Sequence, residues 1–181
     1  RNSFHKTLAE WFTTKLEQGK KRFLIMTPRD HLKTSMFGVS LMVWRAICEP
    51  EDRLLYVMSN CTESAKTLGV AKDVLATSEA MAHFFPHRAL DLSDPKQKST
   101  QDYLRLQREG RYREGSIEAR GIDSRMTGGH FSWHVFDDLI DEKMVDSIVL
   151  QDAAIAFLKR SDALFVNASK DVEVIIGTRW P

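Results

Sequence analysis

The chain predicts an α/β domain with a mainly parallel central sheet flanked by helices, and three observations predict it. Short apolar-rich segments at residues 23–26, 54–58, 131–136 and 172–176, the first of them a continuous apolar run, have the length and composition of strands. Helical patterns alternate with them, as in a sheet built from crossover units. Polar or acidic residues follow Met26, Phe136 and Ile176. Sheets of this class bind ligands beyond the carboxyl ends of their strands.

The elements follow in order. Phe4, Leu8, Trp11, Phe12 and Leu16 recur at helical spacing, so a first amphipathic helix runs over 3–18 and stops at Gly19. Residues 23–26 read as a buried parallel strand, and Thr27 to Ser35 as a polar loop. A mostly buried helix follows over 34–48, then a second buried strand over 54–58. Asn60 with Glu63 three residues later marks the start of a helix that reaches about Ala76. The apolar stretch 81–85 ends at Pro86, and 90–101 is a polar surface excursion. Residues 103–106 and 116–119 alternate and flank Glu109-Gly110-Arg111, as a hairpin or as two neighbouring strands. A glycine-rich loop over 121–129 leads to a strand over 131–136. A helix over 148–164 and a last strand over 172–176 complete the order.

With 43% hydrophobic and 28% charged residues, the 181-residue chain is expected to pack a core as a single domain. Lys and Arg number 26 against 25 Asp and Glu. That balance excludes a global electrostatic footprint for nucleic acid, so any such contact comes from a local patch. The densest basic segment is Arg105, Arg108, Arg111 and Arg113. Cys48 and Cys61 make neither a zinc site nor a disulfide framework and suit a reducing cytosol. No apolar run approaches the roughly 20 residues of a membrane span. The chain opens Arg1-Asn2-Ser3 and closes Gly177-Thr178-Arg179-Trp180-Pro181 after a strand, which reads as one domain, 1–181, of a longer protein.

Two segments carry chemistry. A phosphate-binding loop needs inward backbone N–H groups at a helix N-terminus, a Lys for the outer phosphates and a hydroxyl for Mg²⁺. In the pattern G-x-x-x-x-G-K-[ST], this chain reads Thr27-Pro28-Arg29-Asp30-His31-Leu32-Lys33-Thr34. The Lys-Thr pair and the strand–loop–helix context match, whereas both glycines are absent and Leu32 replaces the second. The competing reading is a basic helix cap with Thr34 satisfying backbone donors. The second segment is Trp133-His134-Val135-Phe136-Asp137-Asp138, an apolar strand ending in two carboxylates. One carboxylate can hold Mg²⁺ and the next can deprotonate a water. Asp141 and Glu142 follow, so the acids at 137–142 also admit a metal-dependent nuclease or an ordinary acidic helix start. Arg29 and Arg125 are candidate arginine fingers, with surface salt bridges as the alternative. Thr178 is placed to sense a γ-phosphate or to end a strand in a turn. His83 and His87 lack a third ligand, and His130 and His134 read as loop and strand residues.

In combination and order these motifs resemble the large terminase subunit of tailed bacteriophages, the motor that packages DNA into capsids. Phe4-His5-Lys6 resembles its lead-in, within a helical segment 1–20. Pro28-Arg29-Asp30-His31-Leu32-Lys33-Thr34 resembles its P-R-G-H-G-K-[ST] loop. Arg125-Met126-Thr127-Gly128 resembles its R-x-T-G stretch, Asp137-Asp138 its acidic strand end, and Gly177-Thr178-Arg179-Trp180 its G-T-R-W coupling motif. Asp30 and Leu32 stand where the family often has glycine.

The resemblance implies an ATPase of the additional-strand, catalytic-acid (ASCE) class of P-loop NTPases, using ATP and Mg²⁺. It implies a homo-oligomeric, pentameric ring docked on the portal protein of a procapsid in the cytoplasm of an infected bacterium. Double-stranded DNA and the small terminase subunit would be partners, with no membrane involved and a nuclease domain beyond this segment. Pro28, Arg29, Asp30, His31, Leu32, Lys33, Thr34 and Ser35 would bind nucleotide. Thr34 and Asp137 would hold the metal, and Asp138 would be the catalytic acid. Arg125 would act as a trans finger, with Arg29 as the cis alternative, and Thr178 would couple hydrolysis to movement. A degenerate nucleotide fold used for assembly is the alternative from another class.

Overall fold

The computed structural model describes residues 2–124, 128–140 and 142–178. Helix α1 (Asn2–Glu17) leads to strand β1 (Arg22–Met26). A loop then opens into a π-helical segment (Thr34–Ser40) continued by α2 (Leu41–Cys48). Strand β2 (Leu54–Met58) is followed by α3 (Cys61–Thr77) and α4 (Glu79–Phe84). Three strands come next: β3 (Lys98–Ser99), β4 (Tyr103–Arg105) and β5 (Ile117–Gly121). After β6 (Trp133–Asp137) the chain makes α5 (Glu142–Val145), α6 (Ile148–Ser161), a 3-10 turn (Asp162–Leu164) and β7 (Val172–Gly177).

The seven strands form one sheet in the order β1-β7-β6-β2-β5-β4-β3. β1, β7, β6, β2 and β5 run parallel, and β4 and β3 add an antiparallel ribbon at one edge. Helices lie on both faces, which is the α/β architecture expected. One face is covered by α1, the 34–48 helix and α3. Phe12 lies 4.6 Å from the Phe23 ring and 5.3 Å from Phe37, and Met42, Tyr56, Leu68 and Val135 fill the same layer. The other face packs Leu55, Val57 and Phe136 against Phe157 of α6 and Leu164. β2 and β6 lie between the two layers, which is why β2 reads as an unbroken apolar run and β6 is buried at every position.

Asn60 caps α3 as its spacing predicts, its side-chain oxygen accepting the Glu63 N–H at 3.0 Å. Residues 103–106 and 116–119 resolve into antiparallel β4 and β5, with Leu104 opposite Ile117. The expectation for β1 needs correction: it is parallel but not buried on both sides. Phe23 and Ile25 point into the core, whereas Leu24 is 65% exposed and Met26 49%. β1 is the last strand of the sheet, and the apolar cluster on its second face, built around Phe157 and Leu164, does not include Leu24 or Met26.

His134, in the middle of β6, is a buried strand residue. Its ring stacks on Phe165 at 3.9 Å, and the Arg22 guanidinium sits 4.4 Å from that same Phe165 ring. Neither ring nitrogen has a hydrogen-bond partner. Burial pushes the imidazole down to about 3; the nearby Leu164 carbonyl opposes this without a well-formed bond, and the Arg22 charge adds to it. Above the ordinary value of 6.5 the ring is neutral whether folded or unfolded. Between 6.5 and about 3 only the unfolded chain takes the proton, so stability falls as pH drops. Each pH unit in that window costs up to about 1.4 kcal/mol. His134→Phe keeps the ring and removes the proton site. Denaturant unfolding of this variant between pH 7 and pH 4 should lose that slope and gain roughly 2 kcal/mol over the parent at pH 5.

Candidate functional site

The parallel strands bring the carboxyl ends of β1, β7, β6 and β2 to one side. Met26 lies opposite Gly177, Ile176 opposite Asp137, and Phe136 opposite Val57. The loop after β1, the acids after β6 and Thr178 after β7 are therefore neighbours, as the sequence predicts. Lys33 Nζ lies 2.8 Å from Asp138 Oδ2, and the Thr178 hydroxyl donates to Asp138 Oδ1 at 3.3 Å. One carboxylate thus joins the loop to the end of β7. β7 separates the two strands whose ends carry Lys33 and Asp138.

The loop backbone is left-handed at two of its non-glycine residues. Asp30 and Leu32, which stand at the glycine positions of the resembled pattern, both have positive φ, 62° and 55°. The chain adopts at these two sites the left-handed conformation that glycine accepts without strain. Asp tolerates that region, but Leu is uncommon there. Leu32 escapes a steric penalty from neighbours because its side chain is 58% exposed. Pro28, Arg29, Asp30, His31 and Ser35 are exposed as well. His31 Nδ1 contacts the Arg29 carbonyl at 2.8 Å, and His5 of α1 meets the His31 carbonyl at 3.2 Å. The Phe4 ring stands edge-on to His31 at 5.9 Å, so the lead-in helix braces the loop. Lys33 occupies the cap position of the helix, and its side chain, which has no acceptor, makes no cap bond there. The helix begins with π-helical turns, a wider winding often found at functional sites.

Asp137 is fully buried. Its Oδ2 accepts the Tyr56 hydroxyl at 2.8 Å, while Oδ1 has no hydrogen-bond partner. Burial pushes the carboxyl above its ordinary range; the Thr34 and Tyr56 hydroxyls oppose this, Asp138 adds to it, and Lys33 opposes it. The Tyr56 hydroxyl is itself raised well above its ordinary value, first by burial and then by the Asp137 charge. Asp137 Oδ1, which has no hydrogen-bond partner, and the Thr34 hydroxyl beside that carboxylate are the groups here that could hold a Mg²⁺ ion. Asp138 follows with φ 44°, a conformation that costs about 1–3 kcal/mol and turns its carboxylate toward Lys33. Among the described residues no three His, Cys, Asp or Glu side chains gather as a metal site. The nuclease reading of 137–142 draws on Asp141 and on the Glu142 side chain, which lie outside what the structure describes.

Arg125, with Met126 and Thr127, lies outside the described residues, as do Asp141, Arg179 and Trp180. Tyr56 is the site residue that the sequence reading missed. It sits in an apolar strand where its hydroxyl gives no local signal.

The basic segment builds a second feature at the other end of the sheet. A cleft of about 1130 Å³ opens near the amino ends of β2 and β5, lined by Arg88, Lys96, Arg105, Arg108, Arg111 and Arg113 among others. Arg108 donates to the Glu114 carbonyl and leaves Nε and Nη1 buried without partners. Glu51, also on the lining, is engaged by the backbone N–H groups of Glu109 at 2.7 Å and Gly110 at 3.0 Å.

No model of a known protein family matches the chain, and neither does any curated protein.

The loop geometry sets a sign for substitutions. Leu32→Gly should leave stability unchanged or raise it by up to about 1 kcal/mol, since relief of the positive φ offsets the added freedom of the unfolded chain. Leu32→Ile places a β-branched side chain at the same φ and should cost more than about 1 kcal/mol. Chemical denaturation midpoints of the two variants check both signs.

Proposed function

We propose that this chain is a P-loop-type ATPase domain of the additional-strand class, working as the DNA-translocating motor of a large terminase. The observation that carries the reading is the Lys33–Asp138 contact at 2.8 Å. It brings the lysine of a strand–loop–helix element against the acid that ends another strand, with β7 as the intervening strand. The positive φ at Asp30 and Leu32 supports it, because the loop takes a glycine-type path without glycine.

In this reading the loop from Pro28 to Ser35 wraps the phosphates of ATP, and the start of the 34–48 helix adds its partial positive charge. Incoming phosphate oxygens replace Asp138 as the partner of Lys33. Asp138, released from that ion pair and still held by Thr178, accepts the proton of the attacking water. Movement of Asp138 is thereby felt at Thr178 and along β7. Thr34 and Asp137 would hold Mg²⁺, which supplies charge neutralisation at the phosphate oxygens. Arg29, on the exposed loop, is the finger candidate within the chain, and Arg125 is the candidate offered to a neighbouring subunit of a ring. Double-stranded DNA fits the basic cleft at the opposite end of the sheet, where cations meet backbone phosphates without reading bases. Portal protein, small subunit and host cytoplasm complete the proposal. No helix among the described residues is long and apolar enough to cross a membrane.

Lys33→Ala should abolish ATP-analogue binding in calorimetry together with hydrolysis; unchanged binding and hydrolysis would sink the ATPase reading. Asp138→Asn should lower the turnover of bound ATP by about 10²–10⁴-fold while analogue affinity stays within a few-fold. Duplex binding followed by fluorescence anisotropy over a salt series should lose about one unit of log–log slope for each of Arg111→Ala and Arg113→Ala. Equal slopes would remove DNA from that cleft.

A further inference from the structure

The one polar group that β2 contributes to the site lies among apolar neighbours. Tyr56 is fully buried, and a buried tyrosine hydroxyl needs a partner. It takes Asp137 Oδ2 at 2.8 Å, while the second oxygen of the same carboxylate is left without a donor. Space for this arrangement is kept by Gly38 in the π-helical turn after the loop. A Cβ built there would stand 3.0 Å from the Tyr56 hydroxyl and 3.4 Å from the Thr67 methyl. Three elements, β2, β6 and the helix that follows the loop, thus meet at one hydroxyl.

We propose that Tyr56 is a positioning residue that selects the metal: by occupying Asp137 Oδ2 it leaves the acid a single oxygen, Oδ1, to offer. This rests on the ATPase reading above. A carboxylate limited to one oxygen suits Mg²⁺, which takes few protein ligands in strict octahedral geometry. Ca²⁺ takes six to eight oxygens and readily uses a carboxylate through both. A neutral hydroxyl also suits the task, because it fixes the carboxylate without neutralising it.

The test is calorimetric titration of a non-hydrolysable ATP analogue into the protein at graded Mg²⁺ or Ca²⁺, with thermal melts to report folding. The parent should bind the analogue with a clear preference for Mg²⁺. Tyr56→Phe should raise the Mg²⁺ concentration at half-effect about tenfold and narrow the preference over Ca²⁺. In an Asp137→Ala background, Tyr56→Phe should have no further effect, which a general structural role would not produce. Gly38→Ala, which displaces the hydroxyl from the other side, should move both quantities in the same direction, and it decides the matter if Tyr56→Phe folds poorly. Mg²⁺-dependent binding with an unchanged midpoint and preference in the variants overturns the role of Tyr56 alone. A parent protein without metal-dependent binding of the analogue overturns the ATPase reading and this inference together.

Discussion

β6 is buried at all five of its positions, and it ends on a carboxyl group. Both faces of the strand are walled by apolar layers, so Asp137 meets water nowhere and must be stabilised by what neighbouring elements supply. The rest of the site can be read as the answer to that demand. β2 supplies the Tyr56 hydroxyl, the helix after the loop supplies Thr34, and the loop supplies the charge of Lys33. These groups only partly offset the burial, and Oδ1 is left over. Removing any one of them would leave a buried charge less compensated, which is more costly than the bond alone.

Two non-glycine residues at left-handed φ in one short loop are strain that the fold tolerates. The bracing from α1, through Phe4 and His5 against His31, shows what holds the loop there. Strain at Asp138 is similar in kind and is held by contacts at both oxygens. Strained backbone clustering around one set of polar side chains is the usual mark of a functional site rather than of a structural core. It makes the Lys33–Asp138 pair a contact maintained by the surrounding backbone.

The two ends of the sheet differ in chemistry. At the carboxyl ends, acids, hydroxyls and one lysine meet in partly dry surroundings. At the amino ends of β2 and β5, arginines line an open cleft, and its acids are few. A chain with a net charge of only +1 has separated its charges in space. In the proposed motor this separation lets a single sheet carry the nucleotide at one end and the DNA backbone at the other.

Much of the fold was legible in the sequence because its signals are local. Strand β2 falls at 54–58 as read, since an apolar run between polar residues needs no distant information. The start of α3 was legible because a cap is made by residues three apart, Asn60 and Glu63. The segments carrying Lys33, Thr34, Asp137, Asp138 and Thr178 were legible as strand ends, and a parallel sheet gathers such ends on one side. The tertiary structure alone decided the remainder. β1 looked buried on both faces because an apolar run does not say what will cover each side of it; only the packing of the helices leaves Leu24 and Met26 exposed. That Asp30 and Leu32 take left-handed φ was hidden because side-chain identity does not report φ. Tyr56 was invisible because its partner lies 81 positions away along the chain and comes within 2.8 Å only when β2 and β6 pair. Residue type and spacing determined which chemistry was available, and long-range strand pairing decided which of those groups touch.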